Sequence, residues 1–214
     1  MTNFGTDWKD NDRDLEPVVE IFQGCRMSSE AARAPYAFNP DRDERFAKAY
    51  NPQGMVSGAW AKGYRLGVIA SSDHNSTHIS YAMVYTGDAS RSGILDAIRK
   101  RHTYGATDNI ILDVRMGGHF MGDEFKLDRA QPLHVYVRGT GPLSRVEIIR
   151  DGKVIYSNHP QGQTTDFKFT DYEVTAGFHH YYARVQQADG MIAWSSPMFI
   201  HYTGAPRSGG KNVR

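Results

Sequence analysis

Glu16-Pro17-Val18-Val19-Glu20-Ile21-Phe22-Gln23-Gly24 sets four apolar residues and one carboxylate between a proline and a glycine. Bounded in this way, Val18 to Phe22 reads as a short buried strand. Glu20 is the oddity in it. A carboxylate inside a buried strand costs several kcal/mol unless it is paired, hydrogen-bonded or bound to a metal. The alternative is a half-exposed strand whose Glu20 faces water.

Outward from this stretch, Leu66-Gly67-Val68-Ile69-Ala70 reads as a second buried strand, and Ile79 to Tyr85 as a third. Ser57 to Gly63 reads as a helix end with Gly63 as its stop, and a further helix fits Asp43–Ala49. Ser90 or Ser92 can cap a helix through Ile94, Leu95, Ala97 and Ile98. Arg99, Lys100 and Arg101 then fall in its last turn, where they suit the helix dipole. Short apolar strands alternating with helices over residues 1–107 imply a parallel α/β sheet or barrel.

From Asp108 onward the pattern is all-β. Short runs begin at Ile110, Leu133, Val146, Val154, Phe167, Tyr181 and Ile192, and Asp151-Gly152 and Asp189-Gly190 are hairpin turns. Residues 108–203 are expected to form an immunoglobulin-like β-sandwich, and 204–214 a disordered tail.

The 214 residues carry a formal charge of +1, with no basic stripe, which argues against a nucleic-acid partner. Cys25 is the only cysteine, so no intrachain disulfide can form; it reads as structural rather than nucleophilic. No run approaches the roughly 20 apolar residues of a membrane helix. The segment after Met1 is polar, with no signal peptide visible and the compartment left open.

Ser71-Ser72-Asp73-His74-Asn75-Ser76-Thr77-His78 directly follows the second strand. Catalytic groups gather at the carboxyl ends of parallel strands, and an Asp with two His can supply oxygen and nitrogen donors to a divalent metal. The bland alternative is a turn capped by Asp73 with solvated histidines. The remaining histidines read as packing or surface residues. No serine elbow, phosphate loop or dinucleotide fingerprint is present.

Together the Glu20 stretch and Ile69-Ala70-Ser71-Ser72-Asp73-His74 resemble two motifs of the PHP (polymerase and histidinol phosphatase) superfamily of metallohydrolases. The likeness extends through Gly93 to Thr107, whose Arg101-His102-Thr103-Tyr104-Gly105-Ala106-Thr107 is similar to a segment of a branch related to CehA/McbA-type hydrolases. The resemblance implies the C-terminal part of a distorted (β/α)7 barrel over 1–107. It also implies two or three divalent ions (Zn, Mn or Fe) and metal-activated water acting on a small-molecule ester, amide or phosphoester. Glu20, Asp73 and His74 would be catalytic metal ligands, with His78 the alternative histidine because Asp-x-His is the usual spacing. Arg26, Tyr104 and Thr107 would lie near substrate. The superfamily's His-x-His motif occurs nowhere in the chain. The resemblance therefore implies a truncated hydrolase lacking upstream ligands and inactive alone, with self-association an option. The competing expectation is a non-catalytic fragment or binding protein acting through its sandwich, with Tyr136, Tyr156, Tyr181, Tyr182 and Trp194 as candidate contact residues.

Overall fold

The computed structural model describes residues 6–24, 28–37, 50–74 and 78–204. The expected helix at 43–49, Arg26, Cys25 and nearly all of the expected tail lie outside them.

The N-terminal layer holds β1 (Val18–Gln23), β2 (Gly67–Ser71) and the six-residue helix α1 (Val56–Ala61). β1 and β2 pair in parallel, Val18 opposite Gly67 and Gln23 opposite Ser71. β3 (Tyr81–Val84) leads to α2 (Arg91–Arg99), whose N-cap Ser90 accepts from the Gly93 amide. β4 (Thr103–Ala106), β5 (Ile111–Met116), β6 (His119–Phe120) and β7 (Glu124–Leu127) follow. Then come β8 (Pro132–Arg138), β9 (Leu143–Arg150), β10 (Lys153–Asn158) and β11 (Thr164–Thr170). The chain closes with β12 (Gly177–Gln187), β13 (Ile192–Ser195) and β14 (Met198–Tyr202).

Eight of these strands make one sheet in the order β10-β9-β12-β13-β4-β3, with β14 on β12 and β7 on β14; four make a second, β11-β8-β5-β6. β9 and β10 are joined through Asp151 (φ 51°) and Gly152 (φ 77°), the doubly left-handed geometry of a tight hairpin. β3 and β4 hydrogen-bond into the large sheet, so residue 107 falls within a continuous structure.

The large sheet is covered on both faces. Along β12, Tyr181, Ala183 and Val185 join the apolar core shared with the four-stranded sheet, alongside Leu112, Val114, Val135 and Val137. Tyr182 points the other way and packs with Trp194, Phe199, Trp60, Val68 and Ile21 of the second core. Period-two alternation thus feeds two cores, and a strand buried on both faces reads as an unbroken apolar run.

There is no (β/α)7 barrel, which corrects the barrel expectation. The described residues hold two short α-helices, and the parallel pairs among them are β1–β2 and β7–β14. The physical reason lies at β2. In a parallel barrel its free edge would pair with another strand. Here the Val68 amide donates to Ser196 Oγ at 2.9 Å, and Thr103 Oγ1 donates to the Val68 carbonyl at 2.9 Å. Side-chain hydroxyls satisfy backbone groups that a further strand would have used. β2 instead lies across β4, so close that a Cβ on Gly105 would stand 3.0 Å from the Ala70 nitrogen and the Ile69 carbonyl carbon.

Candidate functional site: the solvent face of the four-stranded sheet

The residues singled out from the sequence lie on β1, at the end of β2 and in the segment that follows it. Glu20 is half-buried on β1 and accepts a hydrogen bond from the Ser71 hydroxyl on the neighbouring strand. Asp73, with φ at 65°, accepts from both the amide and the ring Nδ1 of His74 at 2.5 Å. His78 lies exposed on a turn, its ring 6.5 Å from that of Tyr81. Among the described residues, no group of three or more His, Cys, Asp or Glu side chains is arranged to hold a metal ion.

Tyr104 and Thr107 serve the fold. Tyr104 is buried, donates to the Ile110 carbonyl at 2.9 Å, and burial pushes its hydroxyl up to about 12. Thr107 Oγ1 accepts from the Ile192 amide at 2.9 Å and donates to the Ile192 carbonyl, extending the β4–β13 ladder by one side chain. Of the aromatic candidates, Tyr181, Tyr182 and Trp194 are core residues. Tyr156 is half-buried and stacks on Phe169 at 4.7 Å.

Tyr136 remains, and its setting is ordered. On β5, β8 and β11 the apolar partners Leu112, Val114, Val135 and Val137 turn inward, so the alternate residues share the opposite face. Strand register aligns three rows on that face: Ile111–Arg138–Thr164, Asp113–Tyr136–Asp166 and Arg115–His134–Lys168. Directly opposed side chains in such rows have Cβ atoms about 4.5–5.5 Å apart. Tyr136 sits at the centre, with a carboxylate on either side. One contact along β5 and one diagonal contact between β8 and β11 fix the flanks. Arg115 grips Asp113 through Nε at 2.7 Å and Nη2 at 2.8 Å, and His134 Nε2 meets Asp166 Oδ1 at 2.5 Å. The sequence carried a signal for this face in the alternation Leu112-Asp113-Val114-Arg115-Met116, which sorts inward from outward residues. Only the register shows which outward residues meet.

A second polar constellation is buried and ties the N-terminal layer to the sandwich. Glu30 is 1% exposed. Its Oε1 accepts from Tyr182 Oη and Arg184 Nη1, both at 2.6 Å, and its Oε2 from Trp194 Nε1 at 2.7 Å. Arg184 also holds Glu147 Oε2 at 2.9 Å and 2.7 Å. Burial alone would lower the Arg184 guanidinium, but the adjoining Glu30 and Glu147 carboxylates outweigh it and raise it. Burial and the Glu30 charge together push the Tyr182 hydroxyl well above its ordinary range. With every donor matched to an acceptor, the cluster is a structural key and offers no free group for chemistry.

No family model matches the chain. It is 28% identical over 230 residues to an uncharacterised protein of Chlamydia muridarum (strain MoPn / Nigg), covering 92% of this chain and 36% of that protein. An uncharacterised protein of Chlamydia trachomatis serovar D is 29% identical over the same coverage, and one of Chlamydia pneumoniae 28%. The chain thus spans 36% of the length of these curated relatives. Among solved structures, a chain from the Clostridium thermocellum CbhA fibronectin(III)-like modules matches at 20% identity and a TM-score of 0.31, covering 41% of this chain and 93% of that chain. The PHP assignment is therefore corrected as well. The described residues form a mostly β fold with two short α-helices and no (β/α)7 barrel.

Among the described residues, no helix is long and apolar enough to cross a membrane.

Proposed function

We propose that this chain is a non-catalytic binding module that holds its partner on the outer face of β5, β8 and β11. The observation that carries the reading is the central Tyr136 between Asp113 and Asp166, with basic residues in the rows on both sides. Tyrosine supplies contact area and a hydroxyl at low entropic cost, and arginine and tyrosine are enriched among residues that dominate binding. Alternating carboxylate and cationic rows suit a mixed-charge polypeptide better than a uniform polyanion. Strands, rather than loops, hold these side chains, so the face is organised before it is occupied.

Two assays test the reading. The chain, supplied with Zn, Mn or Fe, is offered model phosphoesters and esters; turnover above that of the metal alone is not expected. The chain is also screened against defined panels of mixed-charge and polyanionic peptides. Binding is expected in the mixed-charge panel, and Tyr136→Ala should weaken it by about 30-fold, the equivalent of about 2 kcal/mol, with an unchanged circular dichroism spectrum. Metal-dependent turnover that disappears in Glu20→Ala, or peptide binding indifferent to Tyr136→Ala, would overturn the proposal.

A further inference from the structure

Away from that face, a cleft of about 630 Å³ opens between the N-terminal segment and α2. Its floor includes Val19, Leu66 and Ile98. At its mouth Leu15 is 81% exposed and Leu95 45% exposed. Ala97 is the residue α2 buries. A nine-residue helix is marginal by itself and gains most of its stability by covering an apolar face. Here that face is open.

The two lips of the cleft carry opposite charge. The N-terminal lip includes Asp10 and Asp14, which make no ion pair among the described residues. The other is the end of α2, with exposed Lys100 and exposed Arg99, which meets Asp96 of its own helix at 3.2 Å and leaves the lip net basic. A purely basic or purely acidic partner would match one lip and oppose the other. A second copy of the same surface, turned by a two-fold axis, matches both at once, because in such a contact each residue pair occurs twice.

We propose that this cleft is a self-association surface, in which Leu15 of each copy enters the cleft of the other and each acidic lip meets the opposite basic lip. The proposal is independent of the role assigned to Tyr136.

Sedimentation equilibrium from about 1 to about 300 μM tests it, with dimerisation expected in the micromolar range. Leu15→Glu with Leu95→Glu should leave a monomer throughout. Both side chains are largely exposed, so the thermal melt should be retained. Asp14→Lys and Arg99→Glu should each weaken the dimer, and the two combined should restore it towards wild type. Added salt should weaken the wild-type dimer. A wild-type monomer at all concentrations would overturn the proposal. So would a dimer indifferent to the leucine substitutions, or charge exchanges that fail to compensate.

Discussion

The two faces of the eight-stranded sheet are buried by different means. Towards β5, β8 and β11 the contact is almost wholly apolar, with Leu112, Val135, Ile148 and Val185 fully buried. Towards β1, β2 and α1 the contact is aromatic and keyed by charge. Phe22 stacks on Trp194 at 5.8 Å, Trp60 meets Tyr182 at 5.1 Å, and Glu30 receives three donors. An apolar core tolerates exchange of one hydrophobic side chain for another as long as volume and pattern are conserved. A buried carboxylate with three fixed donors has one position. The contrast suggests that the first face supplies most of the stability, while the second specifies where the N-terminal layer sits.

The largest expected effect breaks the key. Arg184→Ala leaves the buried Glu30 carboxylate without a cationic partner and Glu147 with only Arg145 at 3.4 Å, and should cost about 3–5 kcal/mol in denaturant unfolding. Glu30→Gln, which keeps an acceptor but loses the charge, should cost less than Glu30→Ala. On the apolar face Leu112→Ala should cost about 2–5 kcal/mol through the cavity it leaves. It should destabilise the whole molecule and not the N-terminal layer selectively. Gly105→Ala forces a methyl against the β2 backbone and should cost about 1–3 kcal/mol, read as a lowered melting temperature.

Acid should loosen a different clasp. Burial raises the Asp151 carboxyl, but hydrogen bonds from the His180 and His179 rings and the His180 amide outweigh it and hold the group far below the usual carboxylate range. A depressed folded-state value means stability that is present above the unfolded value, about 3.9, and lost as pH falls below it. Urea midpoints measured from pH 7 downward should therefore drop in the wild type at the acid end and less steeply in Asp151→Asn. The smallest effect belongs to the solvent face, where Lys168→Ala should change stability by no more than about 0.5 kcal/mol. Stability and binding can be separated there.

Much of the local structure was legible. Pro17 and Gly24 bracket β1, Ser90 caps α2, and Asp151-Gly152 makes the β9–β10 turn. The assembly of these elements was not. β2 reads as an interior barrel strand because its run Leu66-Gly67-Val68-Ile69-Ala70 is apolar, yet Val68 is buried among Ile21, Trp60 and Trp194, and Ala70 lies against Gly105 of β4. β4 was hidden because Thr103-Tyr104-Gly105-Ala106 is short, buried throughout and without alternation. The oddity of Glu20 was real in the sequence, and a serine hydroxyl answers it. The more deeply buried carboxylate, Glu30, stands beside Ser28 and Ser29 in a segment with no apolar run to mark it as interior. Its partners Tyr182, Arg184 and Trp194 lie more than 150 residues further on.

Hydrogen exchange at the amides of β2 and β12, in the wild type and in Glu30→Ala, tests the central claim most directly. The expected result is comparable slow exchange of both strands in the wild type, with selective loss of protection across β1 and β2 in the variant while β8 and β12 keep theirs. Fast exchange of β2 in the wild type, or an unchanged β2 in Glu30→Ala, would contradict a charge-keyed N-terminal layer.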